Sequence, residues 1–427
     1  MILFEGQLLA DEELDNVLEK LWDSCVQAIT EREDIAGRVM DACGGVAQKI
    51  KQGDYDSILN PLLMKGTFTR QQLEEVINFF DRENLQYKYD VELGDWKQMV
   101  ELESGARKKQ VTPLGILFHI AAGNAEGLPF YSVLEGMMAG NVNILKLPSM
   151  DDGISVLLLH EIIKEEPALA PYVCVLDVPS TNMKVMKRLA DMADGIVVWG
   201  GDEAIRTIRT YAAPETQIIS WGHKLSFAYV SEAVLADDKL KQELYGLAHH
   251  ICQTRQVLCS SCQGLFVDSE DVSVVNGGGE LFFQILKEVS ATYPPETIGV
   301  RGKIFLSLYN EELENENGAK KILKEKNVSV IVSQDSNLEL SYMFRNCWVK
   351  PLPSNKIVSA LKSHRGHLQT VGLICRQEER SALADKLMKA GVTRITSAGH
   401  MSHTIPGEAH DGEYPLQRYC KIVEIEV

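Results

Sequence analysis

Apolar residues recur at three- and four-residue intervals between Asp11 and Gln52, at Leu14, Val17, Leu18, Leu21, Val26 and Ile29. That spacing predicts amphipathic helices. A second helical block is expected after Thr69, whose hydroxyl suits an N-cap. The period then changes. Trp96 to Glu103 alternates, Ser104-Gly105 breaks the run, and Arg107 to Val111 resumes it, so a hairpin is predicted over 96–113. Beyond it, short apolar runs alternate with helical ones. Strands are predicted over 113–120, 140–149, 173–178 and 195–199, with helices over 128–138, 154–165 and 182–192 between them. This order predicts parallel crossover units and a doubly wound α/β sheet.

The second half repeats the alternation, with strands expected near 227–230, 265–267, 328–332, 371–375 and 391–396. The last residues, Tyr419 to Val427, alternate clearly and read as an edge strand, which invites pairing. A chain of 427 residues exceeds the size at which one core stops growing, so two domains are expected. The boundaries read as 1–225 for N-terminal helices and a nucleotide-binding domain, 226–400 for a second α/β domain with the thiol, and 401–427 for a C-terminal segment and edge strand that returns to the nucleotide-binding domain or to a partner subunit.

Composition narrows the function. With 45% hydrophobic and 24% charged residues the chain has a globular makeup. A net charge of −17 repels a phosphate backbone, so no nucleic-acid role is expected. Met1 to Gly6 lack a basic start, and nowhere do 18 apolar residues run together, so no membrane span and a cytosolic location are expected. Nine cysteines, an odd number spread over a long chain, fit reduced thiols better than a disulfide framework.

Two stretches carry candidate chemistry. In Gln256-Val257-Leu258-Cys259-Ser260-Ser261-Cys262-Gln263 a thiol falls in a helix-to-strand connection, a usual place for reactive groups. Taken alone, Cys259 reads equally as a nucleophile, as a packed core thiol, or as a zinc ligand with His249, His250, Cys252 and Cys262. In Trp199-Gly200-Gly201-Asp202-Glu203 two glycines turn a strand into a helix whose free amides suit a pyrophosphate, although such a turn is also common without a ligand.

Together these segments resemble the LuxC-type acyl-CoA reductases, a branch of the aldehyde dehydrogenase superfamily. The resemblance runs from about Trp96 through the ending His410-Asp411-Gly412-Glu413-Tyr414-Pro415-Leu416. It implies a Rossmann-like cofactor domain, an α/β catalytic domain with a nucleophilic cysteine, and a small oligomerisation hairpin. Cys259 takes the nucleophile position, and Asn124 in Ala121-Ala122-Gly123-Asn124 that of the amide that holds the reacting oxygen. Lys146 matches the lysine at the adenosine ribose, with Ser149, Pro179, Gly200, Gly201, Asp202, Trp221 and Gly222 along the implied cofactor site; no metal is implied. NADPH is the implied cofactor because Ser149 and Met150 stand where a ribose-binding carboxylate would repel a 2′-phosphate.

Two departures matter. Cys262 replaces a frequent proline, and Ser220 stands where hydrolytic relatives carry a glutamate. The resemblance implies acyl-CoA as substrate, coenzyme A as leaving group, an aldehyde as product, a homo-oligomer, and acyl-transfer partner proteins. Alternatives are a short-chain CoA-acylating aldehyde dehydrogenase, or a zinc-bearing binding protein without redox chemistry. His410 and Asp411 read as a proton relay or as a structural pair in a Gly-rich loop.

Overall fold

The computed structural model describes residues 1–57, 59–60, 77–94, 107–121, 127–148, 151, 153–237, 239–315 and 318–426. Two compact units emerge, Met1–Gly222 with Ile405–Val427, and His223–Thr404. The expected helix after Thr69 and the first arm of the hairpin lie outside the described residues, as do Asn124 and Ser149.

The first unit holds β1 (Ile2–Phe4), β2 (Gln7–Leu9), α1 (Leu14–Thr30), α2 (Ala36–Gln52), α3 (Arg82–Tyr89), β3 (Arg107–Pro113) and β4 (Ile116–Ile120). It continues through α4 (Leu128–Met138), β5 (Val142–Lys146), α5 (Ile154–Glu165), β6 (Val173–Leu176), α6 (Met183–Met192), β7 (Gly195–Trp199), α7 (Asp202–Arg209) and β8 (Gln217–Trp221). Seven strands pair in the order β2-β1-β6-β5-β4-β7-β8. The five from β6 to β8 are parallel, and β1 and β2 add an antiparallel edge. Every residue of β5 and β7 is buried, as in a sheet covered on both faces, and the polar Asn143 and Lys146 of β5 are hydrogen-bonded there. The chain moves outward from β4 to one side and then resumes at β7 on the other, so the ends of β4 and β7 flank the switch point where α/β sheets open a crevice.

The second unit holds β9 (Leu225–Val230), α8 (Lys239–Thr254), β10 (Cys262–Val267), α9 (Val272–Ser290), α10 (Ile298–Glu314), β11 (Lys320–Glu325), β12 (Val328–Ser333) and β13 (Asn346–Pro351). After these come α11 (Ile357–Leu361), β14 (Leu368–Ile374), α12 (Gln377–Ala390) and β15 (Arg394–Thr396). Its sheet runs β11-β12-β13-β10-β9-β14-β15, parallel except for the β11–β12 pair. Phe266 packs edge-on to Phe227, with ring centroids 5.2 Å apart, and 4.8 Å from Trp348. Burying such a side chain contributes about 2–3 kcal/mol. A Cβ on Gly264 would lie 2.1 Å from the Trp348 ring, so only glycine lets the indole cover this strand.

The chain then returns to the first unit. Its last helix, α13 (Pro415–Arg418), leads into β16 (Cys420–Glu426), which pairs antiparallel with β3 from Cys420↔Pro113 to Glu426↔Arg107. The return also seals a buried charge cluster: Lys88 pairs with Glu92 and lies 3.0 Å from Glu135. Glu92 accepts the Leu416 backbone N–H at 2.9 Å, and its carbonyl accepts the Gln417 amide at 2.7 Å. No helix among the described residues is long and apolar enough to cross a membrane.

Candidate active site

The thiol turn is made by the way α8 ends. Arg255 and Gln256 take left-handed φ values of 51° and 63°, which stops the helix and turns the chain toward β10. Such values cost non-glycine residues of order 1 kcal/mol or more each, so the surroundings must hold them. Gln256, fully buried, does so with both ends of its amide. Its Nε2 donates to the Cys262 carbonyl at 2.9 Å, and its Oε1 accepts the Arg345 backbone N–H at 2.8 Å. Gln263 completes the frame: its Nε2 donates to the Gln256 carbonyl at 3.2 Å, and its Oε1 accepts from the Ser341 hydroxyl at 2.9 Å. Facing this frame, Met343, Phe344 and Arg345 are all left-handed, at 56°, 50° and 71°, and the Phe344 N–H donates to the Arg255 carbonyl at 3.1 Å. Arg255 is anchored by two bonds to Glu296, at 3.0 and 2.5 Å.

Cys259 lies at the exposed crest of this turn, at the N-terminal edge of the second sheet. Its carbonyl accepts the Ser226 hydroxyl of β9 at 2.7 Å, and Ser226 in turn accepts the Thr370 N–H of β14 at 3.0 Å. Ser261 closes the turn, accepting the Leu258 N–H on its hydroxyl at 3.1 Å. The other thiols nearby are different. Burial pushes Cys262 up to about 12 and Cys252 to about 11, and holds Cys347 well above the ordinary thiol range. These three are protonated at neutral pH and enclosed, so they are poor nucleophiles.

The zinc reading is corrected by the same geometry. His250 Nε2 accepts the Cys262 N–H at 3.2 Å, Cys262 Sγ donates to the Gly264 carbonyl at 3.1 Å, and His249 bonds the Tyr293 hydroxyl at 3.0 Å. Their ligand atoms are spent on packing hydrogen bonds, and among the described residues this set does not gather three donors around a point.

The implied cofactor residues fall along the C-terminal edge of the first sheet. Gly200 and Gly201 turn from β7 into α7, with Gly201 extended at its N-cap and offering no side-chain cap. A Cβ on Gly201 would meet nothing within 4 Å, and Asp202 opens the helix at the surface. Open amides at a helix start over a sheet switch point fit a pyrophosphate. Gly200 donates to the Trp221 carbonyl at 3.2 Å, which ties the turn to the end of β8 and to Gly222. Lys146 ends β5, mostly buried, and its Nζ donates to Ser180 at 3.0 Å, beside the exposed Pro179. Burial lowers its pKa, with Asp177 acting in the opposite sense. Asp151 is occupied locally: its carboxylate accepts the Gly153 N–H at 2.8 Å and the Ser155 hydroxyl at 2.6 Å, just ahead of α5.

Of the paired reading for His410, the packing part is visible. Its ring lies edge-on to Trp199 and Trp221 at 5.2 and 5.0 Å, and Asp411 approaches to 3.7 Å. Ser226, Ser341 and Thr370 escaped the sequence reading, since each acts on the turn from a distant strand or loop and carries no local signal. Gln256 and Gln263 flank the thiols in the motif itself, where buried amides beside a turn were the available sign.

With this geometry in hand, similarity to known proteins is informative. Residues 36–422 match the family described as acyl-CoA reductase (LuxC). The chain belongs to the LuxC acyl-CoA reductase family. A long-chain acyl-protein thioester reductase of Aliivibrio fischeri is 26% identical over 327 residues, covering 74% of this chain and 64% of that protein. One of Vibrio harveyi is 24% identical over 349 residues, 79% and 70% of the two chains. The LuxC-family chain thus spans about two thirds of the length of the relatives it matches. Aldehyde dehydrogenase 21 from Physcomitrella patens, solved with succinate, superposes with a TM-score of 0.70 at 12% identity, covering 98% of this chain and 91% of that one. That likeness establishes an aldehyde dehydrogenase-like fold, as the resemblance implied.

Proposed function

We propose that this LuxC-family chain reduces an acyl thioester to an aldehyde with NADPH, through a covalent acyl-enzyme on Cys259. The observation that carries the reading is the contrast among the thiols: Cys259 stands exposed on a braced turn while Cys252, Cys262 and Cys347 are buried. The Cys259 thiolate attacks the thioester carbonyl. As the tetrahedral adduct collapses, the bond to the coenzyme A sulfur breaks, and a thiolate leaves with the electron pair. The backbone N–H of Cys259 and the Asn124 amide stabilise the oxygen that carries charge in both steps. When bound, the nicotinamide cofactor supplies the hydride to the acyl carbon. Collapse of that second adduct returns the Cys259 thiolate and releases the aldehyde.

Gly200, Gly201 and the start of α7 hold the pyrophosphate in this reading, with Asp202, Trp221 and Gly222 around it. Lys146 takes the adenosine ribose beside Pro179, and Ser149 is assigned to the same group from the family resemblance. The preference for NADPH is supported by Asp151, whose two carboxylate oxygens are engaged by the Gly153 N–H and the Ser155 hydroxyl. Acyl-CoA is the soluble substrate, and an acyl group delivered by a partner protein is the second source, because the named relatives act on acyl-protein thioesters. The protein works in the cytosol as a homo-oligomer. In the test, NADPH consumption is followed across acyl-CoAs of increasing length with the aldehyde identified. Saturable oxidation that yields aldehyde, slower with NADH, is the expected result. Release of free acid, or equal use of NADH, would count against the reading.

A further inference from the structure

Helix α10 carries its more apolar face outward. Toward the body of its unit it buries Leu308 and places Glu311 between the Lys320 ammonium and the Tyr342 hydroxyl, each at 2.7 Å. Toward solvent it exposes Ile298 (86%), Phe305 (65%), Leu306 (62%), Tyr309 (51%) and Leu313 (58%). These recur at helical spacing, so they form one continuous stripe along the helix. Scattered surface apolar residues need no explanation, but a contiguous stripe of this kind marks an interaction surface.

We infer that this stripe packs antiparallel against α10 of a second copy of the chain, about a two-fold axis between Phe305 and Leu306. A two-fold contact requires a self-complementary surface, and the sequence Ile298-Gly-Val-Arg-Gly-Lys-Ile-Phe-Leu-Ser-Leu-Tyr-Asn-Glu-Glu-Leu-Glu314 has one. The axis sets Ile298 opposite Leu313, Phe305 beside Leu306, and Gly302 opposite Tyr309. A Cβ on Gly302 would meet nothing within 4 Å, so the glycine leaves a dent that the tyrosine ring of the other copy fills. Charge agrees with shape. In an antiparallel two-fold pair like flanks face each other, which brings Arg301 of one copy to Glu312 of the other, whose carboxylate also pairs with Lys324 of its own chain at 2.7 Å, while Lys303 on the opposite flank meets Asn310 and Glu314. A lipid surface fits less well, because interfacial helices carry Lys and Arg on their polar face and here the flanks of the stripe end in Glu312 and Glu314. The contact is independent of the reaction proposed for Cys259.

Sedimentation velocity of the full chain over a wide concentration range tests the pairing. The wild-type protein self-associates, and Phe305→Asp with an unchanged thermal midpoint weakens that association on the order of 100-fold or removes one step of a higher oligomer. Arg301→Glu and Glu312→Arg each weaken it, and the double variant recovers it, since both copies then carry the reversed pair. A wild-type chain that stays monomeric, or an oligomer indifferent to Phe305→Asp, would overturn the inference. So would a monomer that floats with phosphatidylcholine vesicles through Phe305, or a double variant no better than the singles.

Discussion

Cys259 and Cys262 are separated by two residues, yet one is exposed on the turn and the other is buried with its pKa raised. Replacing Cys259 with alanine is expected to lower aldehyde formation by roughly three orders of magnitude or more, as removal of a covalent nucleophile does. Cys262→Ala removes a small buried group from β10, so it should cost about 1–2 kcal/mol of stability and leave a substantial part of the rate. Equal, near-complete loss of rate in both variants would show that the thiols act jointly. Ser220 gives a second prediction. No carboxylate stands at that position to activate water, so mass spectrometry after mixing the protein with acyl-CoA alone should show a persistent acyl adduct. Ser220→Glu should shorten its life, because a well-placed base contributes on the order of a hundredfold or more; an adduct equally long-lived in that variant would reject the role assigned to the position. The turn that carries Cys259 was legible because its motif is local. Ser226, Ser341 and Thr370 were not, because each reaches the turn across 33 to 144 residues of sequence, counted as donor–acceptor separations.

At the scale of elements, regular apolar periods were readable and polar or very short pieces were not. The helix expected over 154–165 and the strand over 195–199 stand where the periodicity placed them. The three-residue strands β1 and β2 gave no period to read, and β11, Lys-Lys-Ile-Leu-Lys-Glu, is an edge strand whose lysines and glutamate hide its register. The terminal alternation in β16 was visible, but Ile422, Val423 and Ile425 are all exposed, so neither face of that ribbon is a core face in the isolated chain. The junction between α8 and β10 also carries a pH signature. Burial, helped by Arg394, brings His250 down to about 4 from its ordinary 6.5, and as a neutral ring it accepts the Cys262 N–H. An unfolded chain takes up that proton near pH 6.5 while the folded one resists until about 4. Stability from this group is therefore full above pH 6.5 and falls as pH drops through that window, by about 1.4 kcal/mol per pH unit. Denaturant unfolding from pH 7 to 4 should show this slope reduced in His250→Gln; a slope that the substitution leaves untouched would show that His250 titrates as an ordinary surface histidine does.

For the molecule as a whole, the first unit is assembled from two distant stretches, Met1–Gly222 and Ile405–Val427, the second of which the alternation after Tyr419 marked as a returning edge strand. Truncation after Thr404 should leave the second unit resistant to limited proteolysis and render the first unit susceptible, because Glu92 loses its bonds to Leu416 and Gln417 while remaining buried with Lys88 and Glu135. Uncompensated buried charge of this kind costs about 3–5 kcal/mol. A first unit as resistant as in the full chain would show that the return segment only decorates it. The same split connectivity has a consequence for biosynthesis. At ~5–20 residues per second the ribosome spends on the order of ten seconds or more making His223–Thr404 before α13 and β16 emerge, so the unit begun first is completed last. Throughout that interval the nascent chain presents the unpaired edge of β3 and a half-closed charge cluster, and it is then that chaperone protection matters most to its yield.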